Sequence, residues 1–413
     1  MRFNLDIWNV QTELSKNGYK LHPHQINGVE WLVKHDKKHF GGLLCDEMGV
    51  GKTLQIICMM IAHPLKLTLI VCPASLVNQW KTEIYKFTKS ITILEKKELG
   101  IFNDSLNNVY ITSYSSINHY SHINEIKYDR IICDEAHYFR NSKSKTFYNL
   151  NSIHSKYRWC LTGTPIQNYK SDIITLFKFI RRYGKLTTLI ENHMLRRTLK
   201  NVNIILPNIH YSTHTIKTNE HKLEKLIECN PYMFHLERML RLKQSCVIPR
   251  STIKSIESKY KITTNLTSKL IKLNTIIESI IYNKHDKLII FAYFRKEIQY
   301  LYTNLKSKFN VGYIDGSISK DEKNKIVSSK DYNILIIQIN AGGTGLNLQH
   351  YNNIYFTSPQ WNPSLEQQAI ARVFRIGQKK EVSIKRFINQ DSIEQHIQTI
   401  QERKKELIQE YLK

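Results

Sequence analysis

No stretch of this sequence approaches about 18 consecutive apolar residues, so no membrane span is expected. The opening MRFNLDIWNV lacks a basic region followed by an apolar run and a cleavage site. No secretory signal is expected, and the protein is read as one made and used inside a cell. The seven cysteines include no CxxC pair, which argues against a zinc finger or a disulfide framework. Cys45, Cys58, Cys72, Cys133 and Cys160 lie in apolar runs such as LLCDE, LIVCPA and RIICDEAH, and are expected to be small core residues. His22 and His24 could suggest a metal, but nothing nearby completes a ligand set. There is no internal repeat at a solenoid period and no low-complexity tail. Acidic residues are scarce: 35 Asp and Glu stand against 60 Lys and Arg, a net charge of +25. Such an excess attracts polyanions over long range. Nucleic acid is the partner it favours. An anionic membrane surface is disfavoured because no basic amphipathic anchor stands out. A merely soluble basic protein is the plain alternative.

The chain of 413 residues has room for two or three domains, and its 41% apolar share suffices for ordinary cores. Short apolar runs alternate with amphipathic stretches. Strands are expected at 42–45, 67–72, 109–112, 130–133 and 158–161, with helices at 53–62 and 76–87. Continuous apolar strands separated by helices point to a parallel sheet covered on both faces. The composition changes after residue 190. Residues 191–265 are polar and rich in Lys and Asn, with helical patches such as EHKLEKLIE. The alternation then resumes, with strands expected at 288–291, 311–314, 334–337 and 353–356. Near the end, Ser392 and Gln395 are spaced as a capping box for a terminal helix. The expected organisation is an α/β block over 1–190, a helical connector over 191–265 and a second α/β block with a terminal helix over 266–413.

The most informative stretch is LLCDEMGVGKTLQ, residues 43–55, where a strand enters a Gly-rich turn and a helix opens near Thr53. Gly49 and Gly51 let backbone N–H groups approach phosphates with no Cβ in the way. Lys52 suits the β- and γ-phosphates, and the Thr53 hydroxyl suits Mg²⁺. The helix N-terminus adds a dipole that favours the anion. The general pattern has Gly where this chain has Asp46, and a chance Gly-rich turn is the alternative on this motif alone. DRIICDEAH at 129–137 argues against chance. An apolar strand there delivers two carboxylates to its C-terminal end, where ligands bind in open α/β sheets. Asp134 suits Mg²⁺ and Glu135 suits orienting or deprotonating the attacking water. Together the motifs describe a nucleoside triphosphate hydrolase.

The ordered set of motifs resembles a superfamily 2 helicase-type motor, and more narrowly a SWI/SNF-type DNA translocase. DEMGVGKTLQ is similar to that family's phosphate loop, Asp46 included, and LHPHQINGVEWL at 21–32 to its adenine-reading segment. LIVCPASLVNQWKTEI, YITSYSSI and LTGTPIQN resemble the next motifs, and MLRRT and RLKQSCVIP resemble connector elements. KLIIFAYF, YIDGSIS, INAGGTGLNLQ, WNP and QQAIARVFRIGQKKEV follow in family order. The resemblance covers nearly the whole chain.

It implies two RecA-like lobes, with ATP and Mg²⁺ held by the first. The nucleotide-binding set it implies is Gln25, Asp46, Glu47, Met48, Gly49, Val50, Gly51, Lys52 and Thr53, with Gly343 and Gly345 from the second lobe. Arg372 and Arg375 would serve the γ-phosphate, although two arginines three apart can equally line a solvated helix face. DNA-contacting positions carried over are Ser75, Ser113, Tyr114, Thr344, Asn347 and Trp361, the last with a core tryptophan as its alternative. His137, Thr162, Thr164 and Gln378 fall at positions that couple DNA to ATP. Departures from the family are Ala371 for Asp, Phe374 for His, and Gln338-Ile339 for Ser-Thr.

The leading expectation is an ATPase that translocates on double-stranded DNA and remodels protein–DNA complexes. The alternatives are a strand-separating DNA or RNA helicase and a nucleic-acid-binding scaffold that has lost turnover. A monomeric motor is expected, with no membrane partner and with target choice left to partner proteins. The richness in Ile, Asn, Lys and Tyr suggests an AT-rich genome, which a large DNA virus would suit. The expected location is the nucleus in a eukaryote, or the replication compartment or virion of a virus.

Overall fold

The computed structural model describes residues 2–99, 106–120, 123, 125–202, 204, 206–217, 221–261, 270–283, 287–342 and 346–411. Two compact units result: Met1–Ile205 with Leu407–Lys413, and Leu206–Glu406. Both are built on parallel sheets covered by helices, as the alternation of apolar runs and amphipathic stretches implies.

The first sheet contains β1 (Gly41–Leu44), β2 (Leu67–Cys72), β3 (Thr92–Leu94), β4 (Asn108–Ser113), β5 (Arg130–Asp134), β6 (Tyr157–Leu161) and β7 (Met194–Leu195). Their order across the sheet is β3-β4-β2-β5-β6-β1-β7. Period-two alternation divides the strand residues between two cores. Leu43, Leu69, Val71, Ile131, Cys133 and Cys160 face one, and Leu44, Ile70, Cys72, Ile132, Trp159 and Leu161 face the other. The five cysteines expected in the core are all buried and free. The strands expected from sequence match β1, β2, β4, β5 and β6 to within one residue at each end.

The second sheet has the order β10-β11-β9-β12-β13-β8. It comprises β8 (Ile209–Ile216), β9 (Leu288–Ala292), β10 (Val311–Ile314), β11 (Ile334–Gln338), β12 (Asn353–Phe356) and β13 (Val382–Asn389). Apolar runs announce β9 to β12 but not the other two. β8 lies in the stretch read as a helical connector, and it pairs in parallel with β13 from Ile209↔Val382 to Ile216↔Asn389. Its interior positions, His210 to Thr215, are exposed. An edge strand of that kind has no apolar face to show in the sequence. β13 carries Lys385 and Arg386 in mid-strand, which breaks its run. Helices His221–Glu228, His235–Ser245 and Pro249–Tyr260 enclose a small core of their own around Leu223, Ile227, Met233, Leu242, Ile253 and Ile256.

One buried charge cluster braces the first unit. Asp36, on helix Pro23–His39, is wholly buried and pairs with the equally buried Arg130 of β5. Trp159 Nε1 donates to Asp36 Oδ1 at 2.8 Å, and His63 Nδ1 lies 2.8 Å from Asp36 Oδ2. Burial alone would raise the Asp36 carboxyl, but Arg130, His63 and Trp159 outweigh it and hold the carboxyl below its usual range. A depressed carboxylate contributes stability that is complete above about pH 4 and is lost as pH falls through the folded-state value. Asp36→Ala leaves Arg130 buried without its counter-charge, so urea denaturation should show a loss of about 3–5 kcal/mol.

Candidate active site

Because every strand of the first sheet runs the same way, their C-terminal ends share one edge, the edge where open α/β sheets bind ligands. The phosphate loop follows β1, Ser75 follows β2, Ser113 ends β4, Asp134 ends β5, and Thr162 follows β6.

Residues 45–51 form the loop and helix Lys52–Ala62 leaves it. Gly49 and Gly51 have φ of 92° and 95°, in the left-handed region that L side chains avoid. A Cβ on Gly51 would also lie 2.4 Å from Gln25 Nε2. No side chain caps the start of the helix. Its first N–H groups and their dipole thus face the loop, as an anion site requires. Lys52 Nζ donates to the Asp46 carbonyl at 2.8 Å and to the Glu47 carbonyl at 3.3 Å. Thr53 is half-buried on the first turn of the helix. Val50 is buried, and Met48 packs beside Gly163. Gln25 Oε1 accepts from the His22 N–H at 3.0 Å, and so caps its own helix.

Asp46, the residue that departs from the general loop, is wholly buried. Its carboxylate pairs with Arg197 and accepts from Gln55 Nε2 at 3.2 Å. The loop motif points to Asp46 in the sequence but not to Arg197, which sits in the MLRRT stretch of the connector element.

On β5, Asp134 accepts from Trp80 Nε1 at 2.8 Å through Oδ2 and from the Glu135 N–H at 2.9 Å through Oδ1. Burial and the neighbouring Glu135 push the Asp134 carboxyl above its usual range, against the pull of Trp80 and Lys52. Trp80 had no signal in the sequence beyond its place in a motif. Glu135 holds φ +50° and ψ +50°, a costly backbone for a residue with a Cβ and one that clusters at functional sites. Its Oε2 lies 3.2 Å from His137 Nδ1, which lies 3.5 Å from Thr162 Oγ1. Thr162 Oγ1 accepts from the Thr164 N–H at 3.1 Å, and Thr164 Oγ1 from Gln167 Nε2 at 3.3 Å. Arg140 completes the chain by donating to Gln167 Oε1 at 2.9 Å. The structure thus gathers Glu135, His137, Thr162 and Thr164 in one polar cluster, and adds Gln167 and Arg140.

The positions assigned to DNA differ in access. Ser75 is half-buried in a short turn after β2. Ser113 is buried and caps helix Tyr114–His119 by accepting from the Ser116 N–H. Tyr114 is 4% exposed, and its hydroxyl donates to the Asp134 carbonyl at 2.7 Å. It stacks on Tyr138, whose 55% exposure makes Tyr138 the outward ring of the pair.

In the second unit, Gly343, Thr344 and Gly345 lie outside the described residues. Asn347 is exposed and Trp361 is half-buried, its carbonyl accepting from Lys404 Nζ at 2.8 Å. Asn362 caps helix Pro363–Ile370, accepting from the Ser364 N–H, which accounts for the NP of WNP. That helix stops at Ile370, so Arg372 and Arg375 do not share a helical face. They occupy successive turns, closed by Phe374 N–H to the Ile370 carbonyl at 2.8 Å and Gln378 N–H to the Arg375 carbonyl at 2.9 Å. Val373 is buried in the core and Phe374 packs against it, so the Phe that replaces His serves as an anchor. Gln378 is buried. Its Nε2 donates to the carbonyls of Gln349, Tyr351 and Val373, and its Oε1 accepts from the N–H groups of Lys379 and Lys380. One amide side chain therefore fixes the turn that carries both arginines.

Comparison with known proteins follows the same division. A family model for an SNF2-related domain matches residues 24–184, and one for a helicase conserved C-terminal domain matches residues 269–377. The chain is 27% identical to an uncharacterized ATP-dependent helicase of Mycoplasma pneumoniae, covering 99% of this chain and 44% of that protein. It is 24% identical to the DNA repair protein rhp54 of Schizosaccharomyces pombe, covering 94% of this chain and 58% of that one. The SWI2/SNF2 ATPase core of Sulfolobus solfataricus in complex with dsDNA aligns at 24% identity and a TM-score of 0.44, over 95% of this chain and 93% of that chain. The chain spans about half the length of the curated relatives it matches. Among the described residues, no helix is long and apolar enough to cross a membrane. Matched in this order, with relatives aligned over nearly its whole length, the chain carries an SNF2-related domain followed by a helicase conserved C-terminal domain.

Proposed function

We propose that the chain is a DNA-stimulated ATPase that turns hydrolysis into translocation along duplex DNA without separating the strands, and so remodels protein–DNA complexes. The observation that carries this reading is the cluster of Glu135, His137, Thr162 and Thr164 beside the loop that holds Lys52. The carboxylate assigned to the water and the polar residues assigned to coupling leave one sheet edge together.

In this reading the loop N–H groups and Lys52 bind the phosphates, Glu135 takes the proton of the attacking water, and Arg372 and Arg375 stabilise charge on the departing phosphoryl group. Hydroxyl and carboxylate oxygens are the ligands Mg²⁺ takes, and a carboxyl pushed up by burial beside Glu135 is one that a cation relieves. Thr53 and Asp134 would hold the ion, which supplies neutralisation of phosphate charge. The net charge of +25 and a relative named for DNA repair support DNA as the track. The site of action follows the source, the nucleus in a eukaryote or a replication compartment or virion for a virus.

ATP turnover measured side by side with single-stranded DNA, double-stranded DNA and RNA tests the reading. Duplex DNA should stimulate most, and a duplex with a labelled strand should stay paired. Its apparent affinity should fall with salt at a log–log slope of about −0.9 per phosphate contact. Stronger stimulation by RNA, or release of the labelled strand, would replace translocation with strand-separating helicase activity.

A further inference from the structure

Asp46 sets a physical problem. A carboxylate in a phosphate-binding loop repels the ligand unless it is neutralised, and a buried carboxylate needs a partner in any case. Arg197 meets both needs. Its backbone N–H and its Nε each donate to Asp46 Oδ1 at 3.0 Å, and its Nη2 pairs with Asp46 Oδ2. The same guanidinium reaches two further segments. Nη2 donates to Gln55 Oε1 at 2.7 Å, on the helix that leaves the loop, and Nη1 donates to the carbonyl of His24. His24 in turn lies 3.1 Å from the Val50 carbonyl through Nε2, and the next residue, Gln25, sits over Gly51.

The backbone around Arg197 runs along the loop as a rail. Cys45 N–H donates to the Leu195 carbonyl at 2.7 Å, and Glu47 N–H to the Arg197 carbonyl at 2.8 Å. Leu199 N–H donates to Glu47 Oε2 at 2.8 Å. Gly28 leaves the space this needs. A Cβ there would lie 1.9 Å from Gln55 Oε1 and 2.6 Å from Arg197 Nη2.

We propose that Arg197 is a positioning residue for the nucleotide: it neutralises Asp46 and, through His24 and Gln55, sets the phosphate loop and the Gln25 segment in register, so that phosphate seating and base selection depend on one guanidinium. The proposal rests on the reading of this loop as the ATP site. A guanidinium is required because its rigid fork serves three acceptors at once, whereas an ammonium is a single point charge.

The experiment uses the full chain and ribose-labelled fluorescent ATP and GTP, with Arg197→Lys and Gly28→Ala as variants. Arg197→Lys keeps a positive charge beside Asp46, and Gly28→Ala removes no charge at all. Thermal denaturation checks that both fold. Both should weaken binding of labelled ATP by roughly tenfold, the scale of one lost charge-assisted contact, and should narrow its preference over labelled GTP. The KM for ATP should rise in step, while kcat at saturating ATP falls by less than about threefold, since a residue that only seats the ligand contributes to uniform binding. A lowered thermal midpoint with nucleotide affinity unchanged would make Arg197 a structural brace and overturn the proposal. So would a loss of kcat with affinity and base preference unchanged. Lys52→Ala separates the two levels. If it binds labelled ATP as the wild type does, the reading of the loop itself has failed, whatever Arg197 does.

Discussion

Glu135→Gln should retain ATP binding and lower DNA-stimulated turnover by roughly 10²–10⁴, the contribution of a positioned general base. The amide keeps the size and most of the hydrogen bonding of the carboxylate but cannot accept a proton. The structure gives reasons to choose Glu135 over its neighbour. Asp134 already accepts from Trp80 and from the Glu135 N–H, which fix it in place for the ion that this reading assigns to it. Glu135 instead sits on a left-handed backbone, 3.2 Å from a histidine that leads to Thr162. Binding of labelled ATP and steady-state turnover, measured on the same preparation, check the result. Near-normal hydrolysis in this variant would remove Glu135 from the role of base.

Arg372→Ala and Arg375→Ala should each abolish most DNA-stimulated turnover, since arginines that stabilise phosphoryl-transfer charge are worth ~10³–10⁵ in rate. ATP binding should weaken far less, because the first unit keeps Lys52, Thr53 and Asp134. Arg→Lys should not rescue, for want of the fork. The structure sharpens the control. Lys379 is exposed just beyond the turn and its side chain is not part of the bonds that Gln378 makes, so Lys379→Ala should stay within about 0.5 kcal/mol of wild type. Turnover rates of the three alanine variants decide the matter. Equal losses for lysine and arginine would mean that bulk positive charge matters here, and the arginines would have no distinct role at the γ-phosphate.

The residues that chain-local rules govern were legible in the sequence. β2, β5, β9 and β12 are runs of apolar residues because both faces of a parallel sheet are buried, and such runs need no partner to be seen. The turn at Gly49 and Gly51, and the carboxylates at the end of β5, follow from spacing alone. What lay beyond the sequence depends on contacts between distant residues. β8 has strand-favouring residues but no apolar run to announce it, and the ladder that β13 offers decides its place. Tyr114 went into the core because its hydroxyl found the Asp134 carbonyl. Arg372 and Arg375 lie in turns rather than on a helix because buried Val373 and the Gln378 amide hold the chain there. Asp46 is tolerated because Arg197, 151 residues further on, supplies its counter-charge. Periodicity and spacing are properties of a short segment and survive in the letters. The neutralisation of a buried charge, the pairing of an edge strand and the satisfaction of an amide are properties of a pair, and only the folded chain chooses the partner.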